Sequence, residues 1–163
     1  VLTRCRLPGP DLAYQGAVTD TLPSRVLVVE DEHSIRNTLA DLFDADGTSV
    51  ESAGTLDEAK AVLATHPFDL IVTDIRLGGR RDGGLQVMAV AGFLSPDACV
   101  IALTAYPDDD NRHASLRLGA THFLEKPVPL ERIAQLASRA GVPTAITPAS
   151  RTTAMGMARS GRM

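Results

Sequence analysis

The chain has 163 residues, of which 44% are apolar, and a formal net charge of −4. That length fits one domain with tails, and that apolar content excludes a wholly disordered chain. The acidic balance gives no general reason to expect nucleic-acid binding, and no apolar run approaches the ~20 residues of a membrane-spanning helix.

Residues 1–24 hold Pro8-Gly9-Pro10 and Pro23 without sustained periodicity, and read as a flexible N-terminal extension. They contain no apolar core of the signal-peptide type. The first strand is expected at 25–29, where Val26-Leu27-Val28-Val29 stops at Glu30-Asp31. Ser34 is expected to cap the following helix, whose inner face carries Ile35, Leu39 and Leu42. A second strand at 48–52 precedes a helix with Leu56, Ala59 and Leu63 on one face. A third, at 70–73, stops at Asp74. Residues 78–84 then hold Gly78, Gly79, Gly83 and Gly84 with Arg80 and Arg81, and read as a mobile basic loop. The third helix is expected from Leu85, Met88 and Ala89. The fourth strand, 99–104, stops at Thr104, and Ala114 and Leu118 mark the fourth helix before Gly119. The fifth strand, 121–125, is followed by Lys126-Pro127. Leu130, Ile133, Leu136 and Ala137 mark the last helix, with Gly141 as its stop. Strict alternation of strand and helix predicts right-handed crossovers, and so a doubly wound α/β fold with a five-stranded parallel sheet and five helices over 25–141. Residues 142–163 have three arginines (Arg151, Arg159, Arg162), no acid and no periodicity, and read as a disordered tail. Cys5 and Cys99 are the only cysteines, so a disulfide framework is not expected and a reduced, cytoplasmic compartment fits.

A short apolar run that stops at a polar residue is how a buried parallel strand reads at the edge of its sheet. Ligands of open α/β sheets bind outside the carboxyl ends of the strands. The predicted strands therefore deliver Glu30, Asp31, Asp74, Thr104 and Lys126 to one edge. Acids, a hydroxyl and an ammonium suit a divalent cation and a phosphoryl group. Each residue alone has a plainer reading. Asp74 could cap a turn, Glu30 and Asp31 could answer a helix dipole, Thr104 could be an ordinary strand residue, and lysines are mostly solvated. Yet Lys126 is one of two lysines, with Lys60, in a chain that otherwise uses arginine. A compact ammonium suits a carboxylate and phosphate site where a wide guanidinium does not. With no cation, Glu30, Asp31 and Asp74 repel one another, so raised proton affinity or a bound cation is expected.

In order and spacing this constellation resembles the receiver domain of two-component response regulators. The resemblance covers about residues 25–140. Asp31 and Asp74 are 43 residues apart, Asp74 and Thr104 30, and Thr104 and Lys126 22, close to the family's gaps. The resemblance implies a flavodoxin-like (βα)5 fold. It implies that Asp74 is the phosphoacceptor, that Thr104 and Lys126 bind the phosphoryl group, and that Glu30, Asp31, Asp74 and the backbone carbonyl of Arg76 hold Mg²⁺ or Mn²⁺. It places Thr104 and Phe123 as switch residues, and Arg76 and Tyr106 where the lifetime of the phosphate is tuned. It implies a cis Lys126–Pro127 bond. The implied partners are a sensor histidine kinase or phosphotransfer protein, and a downstream target on the face of helix 4, strand 5 and helix 5; a homodimer is compatible. The implied chain is no enzyme beyond its own phosphorylation and dephosphorylation. It is either a single-domain regulator or the receiver part of a longer one. One departure is the stretch Ile75 to Gly84, where the family often has Met-Pro-x-Met-Asp-Gly after the phosphoacceptor: Gly78 replaces the usual proline, and the loop is one residue longer.

Three rival readings remain weaker. Asp-nucleophile phosphatases pair acids as Asp-x-Asp, and Asp74-Ile75-Arg76 lacks the second acid. A degenerate receiver serving as a phosphorylation-independent interaction module would be expected to lose an acid or the lysine, and all are present. Three scattered arginines without aromatics are a poor footprint for DNA.

Overall fold

The computed structural model of the chain describes residues 21–147. Most of the expected N-terminal extension (1–20), and residues 148–163 with the tail arginines, lie outside them. Five strands, β1 (Ser24–Val29), β2 (Thr48–Ala53), β3 (Leu70–Asp74), β4 (Cys99–Thr104) and β5 (His122–Glu125), alternate with five helices. These are α1 (His33–Leu42), α2 (Leu56–Leu63), α3 (Gly83–Leu94), α4 (Asp109–Arg117) and α5 (Leu130–Arg139). All four strand pairings are parallel, and the sheet runs β2-β1-β3-β4-β5. The expected α/β architecture is thus the observed one. Strand order reverses between β1 and β3, which opens the crevice where doubly wound sheets bind ligands.

Alternation along the strands feeds two cores. Leu27, Val29 and Ile71 face α2 and α3, packing with Leu56, Leu63, Val87 and Met88. Val26, Val28, Leu70 and Val72 face the other way, packing with Leu39, Phe43, Ile133 and Leu136 of the α1 and α5 side. The strand residues Val26, Leu27, Leu70, Ile71 and Val72 have no exposed surface. Each such side chain contributes roughly 1.5–3 kcal/mol of hydrophobic stabilisation, so the sheet centre is the most rigid support available to a site.

Several local expectations need correction. Ser34 is not a cap. Helix α1 begins at His33 with Glu32 at the N-cap, and the Ser34 hydroxyl donates to Glu32 Oε1 at 2.8 Å. The helices with side-chain caps are α2, where Thr55 accepts from Glu58 N, and α4, where Asp108 accepts from Asn111 N. Gly119 and Gly141 do follow α4 and α5, with φ of +93° and +78°. Leu118 lies just past α4, whose buried residue is Ser115. The glycine-rich stretch is not one loop. Leu77 and Arg80 exchange backbone hydrogen bonds of 3.1 and 2.9 Å across a two-residue turn. Gly78 and Gly79 both have positive φ there, as such hairpin turns require. Gly83 and Gly84 are buried at the start of α3. A Cβ at Gly84 would overlap the Asp74 carbonyl oxygen and sit 2.7 Å from Ile75 Cα. Glycine serves close backbone approach there, not flexibility.

The start of the presumed tail also packs. Val142 is buried, Ala145 N donates to Leu42 O at 2.8 Å, and Thr48 Oγ1 donates to Pro143 O at 3.0 Å. Cys99 is a half-buried free thiol, while Cys5 lies outside the described residues. Among those residues no helix is long and apolar enough to cross a membrane.

Candidate functional site

Every polar residue expected at the sheet edge arrives there, through the strand that precedes it. Glu30 follows β1 directly and is 1% exposed; Asp74 ends β3 and is 8% exposed; Thr104 ends β4 and is 1% exposed. Asp31 is exposed beside them. Lys126 follows β5, and its backbone N–H donates to Thr104 O at 2.8 Å, which continues the ladder to the edge. The Lys126–Pro127 bond is cis.

The Lys126 ammonium joins the acids. Its Nζ lies 2.7 Å from Glu30 Oε2 and 2.7 Å from Asp74 Oδ2. Charge-assisted hydrogen bonds of this length are the strong kind. Burial works against the Lys126 charge, but the hydrogen bonds and charges of Asp74 and Glu30 outweigh it and hold the ammonium's pKa above its ordinary value. Burial pushes the Glu30 carboxyl up, and the nearby Asp74 charge adds to that. The Lys126 hydrogen bond and charge oppose it without cancelling it. Glu30 thus carries a raised proton affinity, mainly through its burial and only in smaller part through the neighbouring acid.

Backbone donors fix the remaining oxygens. Arg76 N donates to Asp74 Oδ1 at 3.1 Å, Glu32 N to Glu30 Oε1 at 3.2 Å, and Gly78 N to Asp31 Oδ2 at 3.0 Å. Thr104 Oγ1 accepts from Tyr106 N at 3.0 Å. Two supports of the site, one of these amides and one side chain, were invisible in the sequence. One is Gly78, which the hairpin turn carries to Asp31. The other is Arg36 of α1, whose Nη1 donates to the carbonyls of Glu30 and Asp31 at 2.7 and 3.3 Å and so ties the acidic turn to that helix. Nothing in a chain rich in arginine marks Arg36 out, except its position one turn into the helix after the acids.

Glu30, Asp31 and Asp74 each offer an oxygen within 4.8 Å of the others, a set that could hold a metal ion. Three hard oxygen donors, one of them open to water, are the chemistry that Mg²⁺-like cations prefer. Phe123 is partly buried against the α2–α3 core, with the Arg112 guanidinium 5.0 Å from its ring centroid. Arg76 and Tyr106 meet each other, with the guanidinium carbon 3.8 Å from the ring centroid. Beside Lys126 a groove of about 590 Å³ runs between α1 and α5, walled by Ile35, Leu39, Pro127, Val128, Leu130 and Ile133.

Comparison with known proteins agrees with this geometry. The profile of the response regulator receiver domain matches residues 26–138. Response regulator protein PilR of Pseudomonas aeruginosa is 37% identical over 117 residues, covering 71% of this chain and 26% of PilR. Nitrogen assimilation regulatory protein NtrX of Azorhizobium caulinodans is 30% identical over 115 residues, covering 71% of this chain and 25% of NtrX. The chain thus spans about a quarter of the length of these curated relatives. A solved response regulator from Burkholderia pseudomallei, described with a phosphorylated aspartic acid, calcium ion and citrate, superposes with a TM-score of 0.64 at 31% identity. The match covers 72% of this chain and 69% of that one. The beryllofluoride-activated NtrC4 receiver domain dimer gives a TM-score of 0.63 at 33% identity, covering 71% and 94%. In sequence and in fold, the chain belongs to the response regulator receiver domain family.

Proposed function

We propose that the chain is a phospho-acceptor switch in which Asp74 takes a phosphoryl group from a phosphohistidine on a histidine kinase or phosphotransfer protein. One observation carries the reading most directly: a single ammonium, Lys126, bonded at 2.7 Å to both Glu30 and Asp74 at the reversal point of the sheet. In the step, an Asp74 carboxylate oxygen attacks phosphorus, the P–N bond breaks, and the imidazole leaves with its electron pair and takes up a proton. Asp74 is a modest nucleophile, so most of the help needed is positioning and charge neutralisation. Lys126 supplies one positive charge to the incoming oxygens. Asp31 and Asp74 would hold Mg²⁺ or Mn²⁺ directly, with the Arg76 carbonyl, and Glu30 partly through water; when bound, the cation neutralises phosphoryl charge. The apolar groove beside Lys126, whose ammonium bonds Asp74, would offer the donor protein a docking surface near the acceptor.

Thr104 would then release Tyr106 N and donate to a phosphoryl oxygen. Phe123 would follow, and the face of α4, β5 and α5 would change its preference for a target. The bulk of Arg76 and Tyr106 would impede an attacking water. The reaction is placed in the cytoplasm, where such donors are found. The NtrC4 receiver dimer supports a homodimer as one output. Relatives named as transcriptional regulatory proteins support a transcriptional output if the chain works within a longer regulator. A phosphorylation-independent interaction module is the weaker reading, because the acids and Lys126 are present and bonded together.

The reading is tested by incubating the protein with Mg²⁺ and acetyl phosphate and measuring intact mass. One phosphoryl group should be gained, none in the presence of a chelator and none in Asp74→Asn. A wild-type chain that gains nothing, or an Asn variant that gains the group at the wild-type rate, would contradict it.

A further inference from the structure

Arg76 and Tyr106 form a pair whose chemistry goes beyond bulk. The Arg76 side chain is half-buried, and its Nε is fully shielded yet has no hydrogen-bond partner. An enclosed N–H of a charged group left without an acceptor is costly, so an orphan of this kind points to an acceptor that arrives later. The guanidinium lies over the Tyr106 ring, with its carbon 3.8 Å from the ring centroid. Tyr106 is 57% exposed, so its ring is not there to fill the core. The ring offers a face to a cation.

The main chains of both residues are tied to the reacting groups. Arg76 N holds Asp74 Oδ1 at 3.1 Å, and Tyr106 N holds Thr104 Oγ1 at 3.0 Å. The stack therefore joins the turn after β3 to the turn after β4 beside Asp74. The charge balance gives the pair a use. Lys126 is already shared by two carboxylates. A phosphoryl group on Asp74 brings further negative charge and new acceptor oxygens. A guanidinium fork suits such oxygens and can stack while it donates, which an ammonium cannot.

We propose that Arg76 is a further phosphoryl-binding residue and that the Tyr106 ring is the positioning residue that holds its guanidinium ready. The inference rests on Asp74 being the phosphoacceptor. The ring and not the hydroxyl does the holding, so phenylalanine can replace Tyr106 and alanine cannot.

The test uses the full chain with Mg²⁺ and beryllofluoride as the probe, read by affinity and by the NMR signal of the Arg76 Nε–H. In the wild type and in Tyr106→Phe, beryllofluoride should move that signal strongly downfield. Arg76→Ala and Tyr106→Ala should each weaken binding about tenfold, the worth of one charge-assisted hydrogen bond. The double variant should bind no more weakly than either. An unmoved Nε–H in a wild type that does bind, losses that multiply in the double variant, or a Tyr106→Phe that behaves like the alanine variant would each overturn the inference and leave the Asp74 reading standing. A wild type that binds no beryllofluoride would remove both.

Discussion

Lys126 concentrates the electrostatics of the site in one side chain. Its side chain is 17% exposed, and its ammonium serves Glu30 and Asp74, which are 2% and 11% exposed at the side chain. Removing one partner of an enclosed ion pair leaves uncompensated charge, which is the costly direction. Lys126→Met is expected to lose about 3 kcal/mol in metal-free buffer at neutral pH, the low end for such a pair because the lysine keeps some exposure. Mg²⁺ should return much of that by supplying the missing positive charge. Thermal melting with and without Mg²⁺ checks it, and a variant that melts like the wild type in both buffers would show that the ammonium is not holding the acids. At this scale the sequence was informative wherever a residue type was rare or sat at the end of an apolar run. Lys126 and Asp74 announced themselves in that way. Arg36 and the Gly78 amide did not, because an arginine among many and a backbone N–H carry no sequence signal. Only the fold brings them to Glu30 and Asp31.

At the scale of elements, the connection from β3 to α3 is the most constrained stretch of the chain. The turn at Gly78-Gly79 reverses direction within two residues, and its first amide is spent on Asp31. Helix α3 then returns so close to β3 that Gly84 N donates to Ile75 O at 2.8 Å. There is no room for a side chain at Gly84. Gly84→Ala must push α3 away from the backbone of Asp74 and Ile75, and overpacking of this kind costs about 1–3 kcal/mol. Melting temperature should fall, and phosphorylation should slow because the carboxylate moves with its strand. An alanine variant with unchanged stability would show that α3 can slide without penalty. Four glycines in seven residues look like a loop because glycine usually marks one. The same residue is also needed where two backbones touch, and spacing alone does not separate the two uses. The strands were legible because each is a short apolar block, whereas the caps Thr55 and Asp108 were hidden among other small polar residues.

On the scale of the whole molecule, the two cores share one sheet, and the segment after α5 closes the second of them. Val142 is 2% exposed, and Ile146 packs against the same cluster that holds Phe43 and Leu136. A chain ending at Gly141 should therefore melt below one ending at Thr147, by roughly the 2 kcal/mol that a buried valine contributes. Equal melting temperatures would return these residues to the tail that their composition suggested. Val142 and Ile146 stand in a segment of six residues broken by Pro143, too short for any periodicity to betray the packing.

The central claim is that Asp74, and no other acid, receives the phosphoryl group. Borohydride reduces an acyl phosphate on aspartate to homoserine, which marks the modified position permanently. The most direct measurement is to treat the protein with acetyl phosphate and Mg²⁺, reduce it, and sequence the peptides by mass spectrometry. The account predicts homoserine at position 74 alone, absent when the metal is chelated. Homoserine at position 31 or at any other acid, or an unreduced Asp74 in a protein that has gained a phosphoryl group, would contradict it.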